Sequence, residues 1–473
     1  MKYFLYILFC IQFFFSCYAQ AQWSIVGSPS FCNLFADFIF IAIAPNEEPY
    51  VVYRDDYGRG WSKKFNGNDW ITLSVNGFSV SDVSCTTMTF DTMGTPYVAY
   101  MDGTPGQGYR ATVKKFDGNN WIAVGSPLFT LGAASYESIA IDGNNIPFVA
   151  FRDVFYNYRA SVMKFDGTNW IYVGSPGFSP LGNDAGGALY TSLAIDKNTN
   201  TPYLAYSNFS DGFKATVLKF DGTNWVNVGS GVVSSGSANN TCIVIDSYGT
   251  PYIAYDDGAH NGKATVMKFD GTNWIPVGTA GFSPGMVQYI SLALDKNNVP
   301  YVVFEDYSNG NKASVMTFDG SNWVFLGNAG FSPRKAMYTT IAVDSNNTVY
   351  IAYEGYDDSS TPTYTATVMK FTDIPTSINK VENKSSFNVY PNPTSRIITI
   401  TITTTTPRQE YVLKVNDTSG KTVYTENLKD VSNAFTKQID LSQFPKGIYF
   451  VKLQQQVSSA KIPARETKKI VLQ

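Results

Sequence analysis

The sequence predicts an all-β chain: a seven-bladed β-propeller closed by its own first and last strands, followed by a small β-sandwich. Three observations carry this. The segment "KFDGTNW" recurs at 164–170, 219–225 and 268–274, with "KFDGNNW" at 115–121 and worn copies "KFNGNDW" (64–70) and "TFDGSNW" (317–323). Each repeat holds four short runs of alternating apolar and polar residues. After Phe371 the repeat stops, and a polar segment leads into a different strand pattern.

Alignment on tryptophan gives Trp23, Trp70, Trp121, Trp170, Trp225, Trp274 and Trp323, spaced by 47, 51, 49, 55, 49 and 49 residues, with only Trp61 outside the series. Such a period belongs either to a propeller blade or to a helical solenoid, and the internal pattern decides between them. One unit reads "WIPVG" (274–278), "YISLALD" (289–295), "PYVVFED" (300–306) and "KASVMTFDG" (312–320). The alternation has period two, turn residues fall every 8 to 12 positions, and β-branched and aromatic residues are abundant, which excludes helices.

The recurring segment is then the hairpin between the third and fourth strands of a blade. Asp-Gly makes the turn, Asn tolerates left-handed backbone, and Trp opens the outer strand against the neighbouring blade. Closure follows from the ends. The chain begins with a lone fourth strand, "WSIVG" (23–27), and its last unit, "TIAVD" (340–344), "VYIAYE" (349–354) and "ATVMKF" (366–371), lacks one. Pairing 23–27 with 366–371 completes seven blades (22–371) and leaves no open edge.

Two segments, "SLAIDKNTNTPYLAYSN" (192–208) and "TIAVDSNNTVYIAYEG" (340–355), resemble the broad group of propellers that includes the NHL type. The hairpin also resembles the Asp box of sialidases. That box has one residue between Asp and Gly, whereas Asp221 and Gly222 are adjacent, so sialidase chemistry does not follow.

The start, "MKYFLYILFCIQFFFSCYAQAQW", combines a lysine, an apolar run from Tyr3 to Phe15 and Ala19-Gln20-Ala21, the pattern of a signal peptide over 1–21. The run is too short to span a bilayer, and the mature chain is expected to carry no integral membrane segment. Cys10 and Cys17 leave with the signal, so Cys32, Cys85 and Cys242 remain. Export permits a disulfide; Cys32 and Cys85, read as equivalent positions of consecutive repeats, are its candidates.

Residues 372–386 read as a linker, polar and free of aromatics. Beyond it, alternation in "IITITITTTT" (397–406), "YVLKV" (411–415) and "GIYFVKL" (447–453) predicts the small sandwich. Over 387–473, "YPNPTS" (390–395), "VNDTSGKTVYTE" (415–426), "IDLSQFPKGIYFVKL" (439–453) and "KKIVLQ" (468–473) resemble the type A sorting domain of the type IX secretion system. Tyr390, Pro391, Asn392, Pro393, Gly420, Lys421, Gly447, Tyr449, Lys468 and Lys469 carry the resemblance. Arg396 stands where glycine is usual. The resemblance implies the type IX machinery of a Gram-negative bacterium as partner and an extracellular or surface-attached destination.

Composition narrows the function. Charged residues are 15% of the chain and the net charge is −3, which argues against nucleic acid as a partner. His260 is the single histidine, so imidazole-based metal clusters and Ser-His-Asp or Cys-His arrangements are not expected, nor is any cofactor. Two sets of binding candidates share the face of the second-to-third strand loops. Asp55, Asp102, Asp153, Asp257 and Asp306 end the second strands, where they either ring the channel mouth or cap their own turns. Tyr136, Tyr190, Tyr289 and Tyr338 share one position just before the inner strand, replaced elsewhere by Phe38, Cys85 and Asn240, and suit stacking on sugars or peptide side chains. The expected function is a secreted binding or adhesion propeller for a glycan or protein; the alternatives are a polysaccharide hydrolase or lyase and a spacer without a pocket.

Overall fold

The structure, a computed structural model, describes residues 22–28, 31–32, 35–180, 187–357, 364–372, 386–418, 421–455 and 465–473. The expected signal peptide, most of the expected linker and Gly420 lie outside the described residues. The chain divides into two compact units, 20–373 and one built from 374–473.

The first unit is a seven-bladed propeller whose blades 1 to 7 are numbered by their inner strands: Asp37–Ile43, Val83–Phe90, Ala134–Ile141, Ala188–Asp196, the second half of Trp225–Ile245, Val287–Leu294 and Lys335–Val343. Blade 3 shows the plan: Ala134–Ile141 innermost, then Pro147–Asp153, Arg159–Phe165 and the short outer strand Trp170–Tyr172, each antiparallel to the last. Between blades 4 and 5 the outer and next inner strands run together as Trp225–Ile245, where the sequence pattern had placed two.

Each hairpin works through its aspartate and glycine. The Asp221 carboxylate accepts from Thr223 N and Asn224 N (both 2.8 Å), and Gly222 takes a left-handed φ. The same glycine in the other hairpins has φ between 96° and 103°, whereas the Asn after it keeps an ordinary backbone, so glycine alone bears the left-handed geometry. Trp225 then lies in the blade junction: its indole N–H donates to Val173 O of the preceding blade (2.8 Å), and its ring stacks on Phe178 at 4.7 Å. Trp70, Trp170, Trp274 and Trp323 make the equivalent bond, whereas Trp121 donates to Ser62 Oγ. The repeated letters thus encode one repeated junction.

Closure pairs Gln22–Ile25 with Thr365–Thr372, placing Trp23 opposite Phe371 and Ile25 opposite Met369. Trp23 is buried, donates to Leu326 O (2.8 Å) and stacks on Phe331 at 4.2 Å, so the first strand completes the last blade as any outer strand does.

The disulfide considered between Cys32 and Cys85 is not formed; both are free thiols. Cys32 lies ahead of the inner strand of blade 1, its sulfur accepting from Ala366 N at 3.1 Å, while Cys85 lies within the inner strand of blade 2. The two positions are not equivalent, because Phe38 holds the place in blade 1 that Cys85 holds in blade 2.

The second unit is a small sandwich. Two long strands, Ile397–Asp417 and Thr422–Asp440, pair along their length. Ser386–Tyr390 adds to the first half of Ile397–Asp417, and Gly447–Gln455 with Arg465–Leu472 to its second half. One buried cluster joins both halves, including Ile398, Ile400, Leu413, Val451 and Ile470. Asn392 fastens the last strand by accepting from Val471 N (2.9 Å) and donating to Lys469 O (2.8 Å), and the Tyr449 hydroxyl donates to Pro445 O (2.6 Å). The Asn392 bonds hold a C-terminal strand whose Lys468 and Lys469 stay exposed, while the Tyr449 bond closes the turn ahead of its own strand.

Candidate functional site

Every inner strand of the propeller carries a bulge at one place. Phe38, Cys85, Tyr136, Tyr190, Asn240, Tyr289 and Tyr338 all have φ between 48° and 56°, and strand register shifts across each of them. The four tyrosines thus sit inside the inner strands, where sequence had placed them just ahead. A left-handed backbone costs a residue with a Cβ about 1–2 kcal/mol, so surrounding contacts must enforce it. Part of the enforcement is a clasp between blades. Thr86 Oγ1 donates to Phe38 O and Thr241 Oγ1 to Tyr190 O, both at 2.6 Å, and Thr191 and Thr339 likewise bond Tyr136 O and Tyr289 O.

A bulge re-aims side chains, and here the result is an axial cavity of about 340 Å³ lined by the bulge residue and its next two neighbours in every blade. Its aromatic wall is in two arcs. Tyr136 and Tyr190 meet with ring centroids 5.2 Å apart; Tyr289 and Tyr338 meet at 4.7 Å, and Tyr338 reaches Phe38 at 5.2 Å. Cys85 and Asn240 stand in the two gaps. Burial raises the hydroxyl pKa of all four tyrosines, so they act as neutral donors and acceptors with half-buried faces.

None of Asp55, Asp102, Asp153, Asp257 and Asp306 lines this cavity. Each turns into its own loop. Asp306 accepts from Ser308 N (3.0 Å), Asn309 Nδ2 (2.8 Å) and Ser314 Oγ (2.7 Å); Asp153 accepts from Phe155 N and Ser161 Oγ; Asp102 from Thr104 and Thr112. In blade 1 the Trp61 indole takes the place of that Ser or Thr and donates to Asp55 at 2.6 Å. Asp257 likewise accepts from Ala259 N and Thr265 Oγ1 and meets the partly exposed His260. A carboxylate whose lone pairs are spent locally has little left for a ligand.

Sequence reasoning missed a second set of acids. Asp256, Glu305 and Glu354 lie on second strands, opposite the residue that precedes the bulge in blades 5, 6 and 7; the same place holds Arg54 in blade 1 and Arg152 in blade 3. Asp256 is held by Asn239 N and Asn240 Nδ2, and Glu305 by Asn311 Nδ2. Arg54 is engaged by Asp37 (3.1 Å) and Asp82 (2.8 Å). Glu137, one residue past the Tyr136 bulge, takes the place of a clasp threonine, is 3% exposed, and its carboxyl meets only the Cys85 thiol and its own backbone N–H. Glu354 is 1% exposed with Oε2 unpartnered. The available signal was departure from the repeat: a Glu where four blades have Thr, and charges where blade 4 has Ser207.

Burial is the main reason that Glu137 and Glu354 are both pushed up to about 8 from 4.5; for Glu354 the Asp37 charge adds to it. The folded propeller therefore keeps two protons that the unfolded chain has released. The stability tied to these neutral carboxyls is fully present below about pH 4.5 and is lost as pH rises through about 8. The melting midpoint should fall between pH 5 and pH 8, and Glu137→Gln, which cannot ionise, should flatten that fall; an unchanged slope in the variant would contradict the assignment.

Residues 388–473 match the secretion system C-terminal sorting domain. The second unit is a sorting domain. The protein is accordingly a cargo of the type IX secretion route, delivered to the cell surface or the extracellular space, and the sorting domain is its address. No helix among the described residues is long and apolar enough to cross a membrane. No curated relative matches the chain. Among solved structures, a fungal alcohol oxidase of the AA5 family in complex with copper is similar over 96% of this chain and 100% of its own, at 13% identity and a TM-score of 0.51. The Aleuria aurantia lectin in complex with Fucα1-6GlcNAc is similar over 65% and 99%, at 13% identity and 0.43, and a PL25 ulvan lyase over 72% and 94%, at 13% and 0.46. At these identities the oxidase likeness speaks for the fold alone, and the other two carry no argument. The NHL resemblance gains no support from them.

Proposed function

We propose that the protein is a binding propeller that takes a glycan in its axial cavity once the sorting domain has delivered it outside a Gram-negative cell, residues 1–21 having served as signal peptide. The observation that carries this reading is the convergence of Phe38, Tyr136, Tyr190, Tyr289 and Tyr338 on one concave site through seven left-handed bulges. Pyranose rings present flat C–H faces, and aromatic walls beside a few polar groups are the usual way to hold such ligands. The arcs stand on opposite sides of the gaps at Cys85 and Asn240, so a sugar entering along the axis meets an aromatic face on either hand.

The test is a glycan array probed with the full chain and with Tyr190→Ala and Tyr289→Ala. Each substitution should weaken the strongest hits by about tenfold or more, roughly 1.4 kcal/mol each. Binding unchanged by both would remove the cavity as the site.

A further inference from the structure

The axial cavity combines aromatic faces with one buried acid in its lining, Glu137, and a second, Glu354, outside that lining. Glu137 belongs to the cavity lining and is 3% exposed, and its carboxyl meets only the Cys85 thiol and its own backbone N–H. In four other blades the equivalent position holds a threonine that closes a clasp onto the preceding bulge. Blade 3 gives up that clasp for a carboxyl group, whose facing neighbour is the Cys85 thiol across the junction. Glu354 lies outside that lining, but its charge acts on both Tyr289 and Tyr338, and its Oε2 is unpartnered. A buried carboxyl keeps its proton unless a counter-charge arrives to stabilise the ionised form. Of the nearby cations, Arg54 is committed to Asp37 and Asp82, Arg152 lies over the Tyr158 ring at 4.4 Å, and Lys335 over Tyr356 at 5.6 Å.

Resting on the reading of this cavity as a glycan site, we infer that its ligand carries a protonated amine, an amino-sugar residue whose ammonium sits between the tyrosine faces with Glu137 and Glu354 as counter-ions. The quadrupole of an aromatic face attracts a cation, and a buried carboxylate beside it strengthens that attraction in a water-poor site. The cavity suits a six-membered ring bearing the amine better than a thin lysine stem, because its aromatic faces stand in two arcs and not along one narrow slot. Ligand binding also changes the protonation of the site. Carboxyls that hold their protons in the free protein, because burial opposes the charge, release them when an ammonium arrives. Besides Cys85, the titratable groups facing this event are Tyr136, Tyr190, Tyr289, Tyr338, Arg152 and Asp37, with Asp256 acting on Tyr190 and Glu305 and Tyr307 on Tyr289. The thiol and hydroxyl pKa values are raised, so these groups stay neutral throughout.

Calorimetry of the full chain at pH 6, in two buffers of different ionisation enthalpy, tests this with three probes: a glucosamine tetramer, its fully N-acetylated counterpart and a tetralysine peptide. The free-amine sugar should bind at least tenfold tighter than the acetylated one and release protons. Glu137→Gln and Glu354→Gln, which keep the shape of the neutral acid and whose folding is checked by melting, should each lower the preference several-fold. Acetylated sugar binding as tightly as the amine would overturn the inference, and tetralysine binding more tightly than the amino sugar would overturn it in favour of a protein ligand. Loss of sugar binding in Tyr190→Ala and Tyr289→Ala with no preference for the amine would sink the inference alone. Indifference of every probe to those tyrosines would sink the site reading as well.

Discussion

A chain that begins at residue 30 is expected to lose its folded monomer. The missing segment contributes the outer strand of blade 7, and with it Trp23, buried at 8% exposure, stacked on Phe331 and bonded to Leu326 O. Removing a buried tryptophan side chain alone costs roughly 3–5 kcal/mol, a large share of the roughly 5–15 kcal/mol by which domains are stable. The truncation also strips the backbone partner from Thr365–Thr372, exposing an edge that can pair with another copy. Trp23→Ala in the full-length chain should reproduce the loss of melting temperature while leaving the edge covered, so it should melt early without aggregating more at rest. Size-exclusion chromatography and thermal melts separate the two effects. A truncated chain as stable and monomeric as the full one would show that the pairing contributes nothing.

Deletion of residues 387–473 should leave the propeller inside the cell envelope, with little or none in the medium or on the surface. The sorting domain has its own core and its own unit, so its loss removes no propeller strand. The deleted form should therefore be folded, with the melting behaviour of the intact propeller, and be mislocalised. Fractionation with a propeller antibody checks this; normal appearance outside the cell would refute the address role. A subtler lesion, Asn392→Ala, loosens the final strand by removing two of its bonds and should reduce export in part.

The repeat made the architecture readable because a blade is specified locally. The alternation that defines each strand, the Asp-Gly turn and the tryptophan lie within a few residues of one another, and every blade restates them. Even closure could be read, since two incomplete units at the ends have only each other to pair with. The tyrosine position could be found for the same reason, as a column in the aligned repeats. Its bulge could not: left-handed backbone at a tyrosine contradicts local preference, and at Tyr136, Tyr190 and Tyr289 part of what enforces it is a threonine about fifty residues away on the next blade. The aspartates left two readings open, because a carboxylate at a loop looks the same in sequence whether it faces the axis or accepts from its own turn, as Asp306 does. Glu137 and Glu354 were overlooked because they are exceptions, and reading by repeat averages exceptions away.

The union of Trp23 with Phe371 also sets an order in time. These two residues stand at opposite ends of the propeller sequence, and every other strand pairing in it joins near neighbours along the chain. Bringing such remote segments together exacts the greatest loss of chain entropy of any contact in the disc. Early blades are therefore expected to form while the final wedge stays open, and maturation ends with a single late stitch at the oldest end of the polypeptide.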